Sequence, residues 1–323
     1  MRRAWFLAAL TAALLGLPAC GAKGIGPAAS LGALDARVVA RFGFGAEGGA
    51  QPALLARAAG GFALAYVGTR PGDRHLHVAT SADGRAWGEA LALPAGEFSD
   101  ASPALVEDAA GGLHLYFVSN RSGLTQQVFH CAQAAGGFGE AVVVPGLGGA
   151  QELAATRVGD EVVLVAEVMG AGVLAHQGPP GGALRPLPAV AQAGAEPAVC
   201  AMAGGKVVVA FQREGKIWTR QGLPGSLGPE VVAASAGSRL RDPALGWVAG
   251  QGQLAWAERA DGGMGLRLRP FDATLSFGEV EAPGLGAGES RGPSWAASRE
   301  GVRLLAWGMK TMNGQQGVVV LVL

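Results

Sequence analysis

The sequence predicts an all-β fold made of six copies of one four-stranded unit, and three observations carry that prediction. A short apolar, strand-like segment recurs with centres at Tyr66, Tyr116, Ala166, Phe211, Trp256 and Trp307, in steps of 50, 50, 45, 45 and 51 residues. A proline stands 13 or 14 residues ahead of each centre (Pro52, Pro103, Pro197, Pro243 and Pro293), with Glu152 in its place in the third copy. Glycine pairs such as Gly60-Gly61, Gly111-Gly112 and Gly204-Gly205 fall between the first two strands of a copy, where tight hairpins need them. Four strands at a period of 45 to 51 residues describe the antiparallel blades of a six-bladed β-propeller. A blade covers its faces only against its neighbours, so the ring has to close. Five blades plus an extra element is the structural alternative.

Taken in chain order, Met1-Arg2-Arg3, an apolar run from Ala4 to Leu17 and Leu17-Pro18-Ala19-Cys20 have the layout of an export signal over residues 1–19. A permanent membrane helix needs about 20 apolar residues, more than this run provides. The Leu-x-Ala-Cys ending resembles the lipobox of bacterial lipoprotein signals, which implies lipidation of Cys20. Gly21 after it then favours the outer membrane, with the protein facing the periplasm or the exterior. Residues 20–34 are rich in small side chains and form a flexible tether, and 35–323 form the propeller.

Arg37–Phe42 is a strand with no partner of its own. The sixth copy runs short after Trp307, with Val318–Leu323 its only further strand, so Arg37–Phe42 is expected to be the outer strand of that last blade. In the six copies, the first strand follows the proline (Pro103 to Val106) and the second is apolar (Phe62 to Val67). The third reads like His75 to Ala79 or Val128 to Cys131, and the fourth like Ala141 to Val144. No segment after the signal has a helical period.

Composition excludes several function classes. The 54 glycines have no three-residue period, which excludes collagen. Lysine plus arginine, at 25, equals aspartate plus glutamate, so there is no basic footprint for nucleic acid. Beyond Cys20 only Cys131 and Cys200 remain, in different repeats and in apolar strands, and both are expected to be buried free thiols. His75 and His77 share a strand face without a third ligand nearby, so no metal site is expected, nor any cofactor. Gly43 to Gly48 spells a dinucleotide fingerprint but no helix follows to receive a phosphate.

Two blades carry recognisable motifs. Ser81-Ala-Asp83-Gly84-Arg-Ala-Trp87 resembles the Asp-box (BNR repeat) hairpin of sialidase-like propellers, in which the aspartate binds turn amides and the tryptophan packs between blades. Tyr116-Phe-Val-Ser119-Asn120-Arg121-Ser-Gly123, followed by Gly137-Phe-Gly-Glu140, is similar to the repeat of Tol-system (WD40-like) envelope propellers. Arg241-Asp242-Pro243 resembles a motif of invertase-like five-bladed glycosidases, whose other catalytic segments are missing here. The arginine cluster and tyrosine–glutamate pair of a sialidase are missing too, since Tyr66 and Tyr116 both sit in the structural column.

Propeller ligands gather over the central channel, where the innermost strands begin. The candidate ligand-binding residues there are Asp100, Glu152, Glu196, Arg241, Asp242 and Arg291, with Gln51, Ser102 and Gln151 beside them. If the chain is an enzyme it is a glycosidase, and Glu152, Glu196 and Asp242 are its candidate catalytic carboxylates. The favoured reading is a non-catalytic, lipid-anchored binding or scaffolding module of the cell envelope. It is expected to be a monomer that takes a carbohydrate, an envelope protein or a peptide, and meets the membrane only through its anchor. The alternatives are a glycoside hydrolase using the axial carboxylates and a Tol-like envelope assembly factor. Trp247 and Trp295 are candidate channel-facing aromatics, and the other tryptophans are expected to pack between blades.

Overall fold

Proline has no N–H to give to a ladder, so a proline near the start of an inner strand breaks the pairing there. The computed structural model describes residues 37–323 apart from 44–48, 70–73, 95, 124, 237–238, 261–262, 284–288 and 312. The predicted signal, Cys20 and the tether lie outside the described residues, as does most of the Gly43–Gly48 run. At each of the five prolines the inner strand slips against its neighbour, between Ala50 and Ala53 in the first blade and between Ala101 and Ala104 in the second. The residue before the proline (Gln51, Ser102, Glu196, Asp242 or Gly292) takes a φ of 47–54°, a region that side chains other than glycine rarely occupy. The result is one β-bulge per blade, which turns that residue out of the sheet.

The chain makes six antiparallel sheets arranged as blades. The first strand, β1 (Val38–Phe42), belongs to the last blade. Blade 1 is β2 (Ala50–Ala56), β3 (Phe62–Val67), β4 (Leu76–Ser81) and β5 (Leu91–Ala92). Blade 2 is β6 (Asp100–Glu107), β7 (Leu113–Ser119) and β8 (Gln127–Ala134), with the short β9 (Gly137–Phe138) and β10 (Val142–Gly148) both on β8. Blade 3 is β11 (Ala150–Val158), β12 (Glu161–Val168), β13 (Gly172–Gly178) and β14 (Arg185–Pro186). Blade 4 is β15 (Ala195–Ala201), β16 (Val207–Arg213) and β17 (Lys216–Leu223), with β18 (Ser226–Leu227) and β19 (Val231–Ser235) on the outer side of β17. Blade 5 is β20 (Leu240–Val248), β21 (Gln251–Ala260) and β22 (Gly263–Phe271). Blade 6 is β23 (Glu289–Ala297), β24 (Arg303–Lys310), β25 (Gln316–Val322) and then β1, in that order.

The predicted closure is therefore present: β1 pairs antiparallel with β25, Phe42 opposite Val318 and Val38 opposite Leu321. Blade 5 departs from the four-stranded plan. Its outer position holds only two isolated bridges, Leu268 to Glu281 and Phe271 to Phe277, because Pro270 between them has no N–H to continue the ladder.

There is no single central core. Six apolar clusters lie one at each blade interface, around Phe117 and Phe129 between blades 1 and 2, for example, and around Trp256 between blades 4 and 5. Pairing registers also correct the repeat by one residue in two copies. Ala65, Tyr116, Ala166, Ala210, Ala255 and Ala306 share one ladder position opposite the inner strand. The next residue along is then Tyr66, Phe117, Glu167, Phe211, Trp256 or Trp307. Five blades thus set an aromatic beside the proline of the inner strand. Blade 3 replaces both, with Glu152 for the proline and Glu167 for the aromatic, and pairs the two directly across the ladder.

The motifs are structural. Asp83 Oδ1 accepts the N–H groups of Arg85 and Ala86, each at 2.8 Å, which holds its carboxyl below the usual carboxylate range. Trp87 packs edge-on to Phe42 at 5.8 Å, between blades 1 and 6. In the Ser-Asn-Arg segment of blade 2, Asn120 Oδ1 accepts the Ser99 N–H at 2.7 Å, and Arg121 Nη2 holds both oxygens of Asp100 at 2.8 and 2.9 Å. Cys131 and Cys200 are buried and unlinked, their thiols pushed up to about 12 by burial. His75 lies edge-on to Phe98 while His77 stacks on Tyr66, so the two rings have separate surroundings.

Candidate functional site

The inner-strand bulges bring polar side chains to the axis, with Arg291 beside Gly292 in the last blade, and a cavity of about 770 Å³ opens there. Its mouth carries Gln51, Ser102, Glu152, Glu196, Asp242 and Arg291, and its throat narrows onto Leu54, Leu105, Val199, Leu245 and Trp295. A polar mouth over an apolar throat of this volume suits a small polar ligand with one apolar face.

The same side chains fasten the ring. The Ser102 N–H donates to Gln51 Oε1 at 3.0 Å, joining blade 2 to blade 1. The Leu153 N–H donates to Ser102 Oγ at 2.9 Å, and the Glu196 N–H to Glu167 Oε2 at 3.0 Å. The Asp242 N–H donates to Glu196 Oε2 at 2.7 Å, and the Gly292 N–H to Asp242 Oδ2 at 3.1 Å. The Leu54 N–H closes the circle on Ser294 Oγ at 2.8 Å. Each blade interface therefore has a side-chain clasp onto a backbone amide near the mouth. The bulges and the free inner edges of these strands leave those amides without a ladder partner, and an unpaired buried amide costs about 1–3 kcal/mol.

Five of the six candidate ligand-binding residues come together here: Glu152, Glu196, Arg241, Asp242 and Arg291 all line the cavity. Asp100 does not. Its side chain is fully buried in blade 2 against Arg121, with His75 Nδ1 3.9 Å away. Of the two aromatics, Trp295 lines the throat, while Trp247 packs on Phe271 with ring centroids 5.7 Å apart.

Glu196 and Asp242 each commit one oxygen to a clasp, and Glu196 Oε1 also faces Arg241 Nε at 3.1 Å. Glu152 has no such duty: among the described residues its carboxyl makes no hydrogen bond or ion pair. Burial, then the nearby charges of Asp242, Glu196 and Glu167, push it up to about 8 against the opposing pull of Arg241. The group therefore carries a proton at neutral pH, the state a proton donor needs. Glu196 is raised as well, first by burial and then by Asp242.

Sequence reasoning found Glu152 through the missing proline. It passed over Glu167, although a charge inside the otherwise apolar Val162–Val168 run is a visible signal. Among the described residues no group of three or more histidine, cysteine or acidic side chains is placed to hold a metal ion.

No family model matches the chain, and no curated protein matches it. Solved structures do. A protein of unknown function from Dyadobacter fermentans superposes with a TM-score of 0.68 at 12% identity, over 89% of this chain and 98% of that one. The intramolecular trans-sialidase of Ruminococcus gnavus, in complex with oseltamivir carboxylate, gives 0.64 at 10% identity, over 90% and 98%. The GH93 α-L-arabinofuranosidase of Fusarium graminearum, in complex with arabinobiose, gives 0.63 at 9% identity, over 89% and 97%. At such identities the likeness is one of fold.

Proposed function

We propose that this chain is a carbohydrate-active propeller that takes a glycan end into its axial cavity and cleaves a glycosidic bond there, with Glu152 as proton donor. The observation that carries this reading is the carboxyl of Glu152: it lines the cavity, is free of structural duty and is held in its acid form by burial and three acidic neighbours. Cleavage requires a proton on the leaving oxygen as the bond breaks, and a positioned acid of this kind is worth about 10²–10⁴-fold in rate. The second carboxylate of the pair comes from Glu196, whose charge also acts on Glu152. The fold shared with a trans-sialidase and an arabinofuranosidase supports carbohydrate as the ligand class.

The test is turnover of a chromogenic glycoside panel by the wild type and by Glu152→Gln. We expect the variant to lose at least about 100-fold in turnover while still binding glycans on an array. Wild-type turnover should also fall as pH rises through about 8, because the acid form of Glu152 is then depleted. Equal turnover in the variant would remove Glu152 as the acid.

A second reading, a glycan-binding module without turnover, is favoured by one fact: Glu196 and Asp242 each spend an oxygen on a clasp. A wild type that binds array glycans but turns over none of the panel would establish it.

We also propose that the protein is exported and tethered through lipidated Cys20, which puts the cavity in the cell envelope, at the outer membrane of a two-membrane cell. The support is the Arg2-Arg3, apolar run and Leu-x-Ala-Cys order of the N-terminus. Cells fed a fatty-acid analogue should label the wild type, and label on Cys20→Ala would refute the anchor.

A further inference from the structure

The ring of clasps is mechanically uniform but chemically divided. Gln51, Ser102 and Ser294 fasten three interfaces with neutral acceptors. Glu167, Glu196 and Asp242 fasten the other three with carboxylates, and those interfaces are consecutive, running from blade 3 to blade 6. Since a hydroxyl or an amide does the fastening equally well on one side, fastening alone does not call for charge on the other. The charged arc begins where the repeat is broken twice, at Glu152 in the proline position and Glu167 in the aromatic position. Those two stand directly opposite each other in the ladder, an arrangement that costs free energy when both are ionised. Glu167 is fixed in place by the Glu196 amide on its Oε2. The proton that relieves the pair therefore belongs on Glu152, which makes no such bond.

We propose that Glu167 and Asp242 are positioning residues for Glu152: the charge they hold at the clasps keeps the Glu152 carboxyl in the acid form in which it donates to a leaving oxygen. This rests on the reading of Glu152 as proton donor given above. Glu152 is surrounded by Glu167 on β12, Glu196 on β15, and Arg241 and Asp242 on β20. Of the cavity residues on β6 only Ser102 has a polar side chain, and it is neutral, while Arg291 lines the β23 side. Arg241 is engaged by Glu196 at 3.1 Å, so its charge is partly spent before it reaches Glu152. The arrangement makes a proton donor from two substitutions in one blade of a repeated framework, and borrows the next two clasps for its electrostatics.

The experiment separates charge from fastening. Glu167→Gln and Asp242→Asn keep an acceptor oxygen for the Glu196 and Gly292 amides but remove the charge. Glu152 is followed directly, by the pH titration of its carboxyl carbon resonance in protein labelled at the glutamate carboxyls and assigned with Glu152→Gln. In either variant the Glu152 midpoint is expected to fall by about one pH unit or more, and the alkaline limb of turnover to move down with it. The cooperative unfolding transition should stay in place, as a retained clasp requires. A lowered midpoint in protein that turns over no glycoside would uphold the positioning role while sinking the enzymatic reading. An unmoved Glu152 midpoint in both folded variants would overturn the proposal, and using two variants at different interfaces protects the test should one fail to fold.

Discussion

Replacing Asp100 by alanine is expected to lower the unfolding free energy by about 3–5 kcal/mol, seen as a drop in the urea midpoint with an unchanged slope. The carboxylate has no solvent exposure, and both its oxygens are taken by Arg121 Nη2 at 2.8 and 2.9 Å. Arg121 in turn lies over Phe98, with its guanidinium carbon 4.1 Å from the ring centroid, and against Phe117 at 4.8 Å. Removing the carboxylate leaves a largely buried cation among aromatic rings without its counter-ion. Replacing both partners by apolar residues, Asp100→Leu with Arg121→Met, should recover much of the deficit, because no charge is then stranded. A single variant within about 0.5 kcal/mol of wild type would mean that the pair is far more hydrated than its burial implies. The axial cavity should keep its lining at permissive temperature, since Asp100 does not contribute to it.

Replacing residues 37–42 by a glycine–serine stretch of equal length should be more damaging still, removing most of the roughly 5–15 kcal/mol that a domain of this kind has to lose. The altered stretch forfeits the ladder with Val318–Leu321, and with it the contact of Phe42 with Tyr66 at 5.4 Å and with Trp87 at 5.8 Å. It also uncovers a long apolar edge on β25, a template for pairing between molecules. Scanning calorimetry should show loss of the cooperative transition, and size-exclusion chromatography should show association. A peptide of sequence 37–42 added in excess should restore part of the transition by mass action. An unchanged transition without the peptide would show that the ring does not depend on this seam.

The architecture was legible because two kinds of constraint repeat around the ring, the proline in five of the six blades and the apolar strand in all of them. A proline interrupts the inner strand and an apolar strand lies behind it, and each leaves a residue-level mark whatever the ligand. The blade count, the closing strand and the glycine turns followed from those marks. The site was legible only in part. The starts of the inner strands could be placed near the axis from their position ahead of proline, and Glu196 and Asp242, directly before it, and Arg291, one residue earlier, all line the cavity. Asp100 has the same sequence setting two residues earlier, but its partner Arg121 lies 21 residues away, in the turn after β7. A pairing at that distance leaves no local pattern. Glu167 escaped for the opposite reason: its copy was aligned one residue out of step, so a glutamate in the aromatic position looked like the end of a strand. Only the cross-strand partners show which residue occupies which place.

In four of the six repeats the position just before the inner-strand proline both bolts a wedge of the disc to the next and decorates the opening. Glutamine, serine, glutamate and aspartate all perform the first task, so the second is left free to change. Lineages of this scaffold can therefore repaint the entrance, from neutral to acidic or back, without redrawing the frame that supports it.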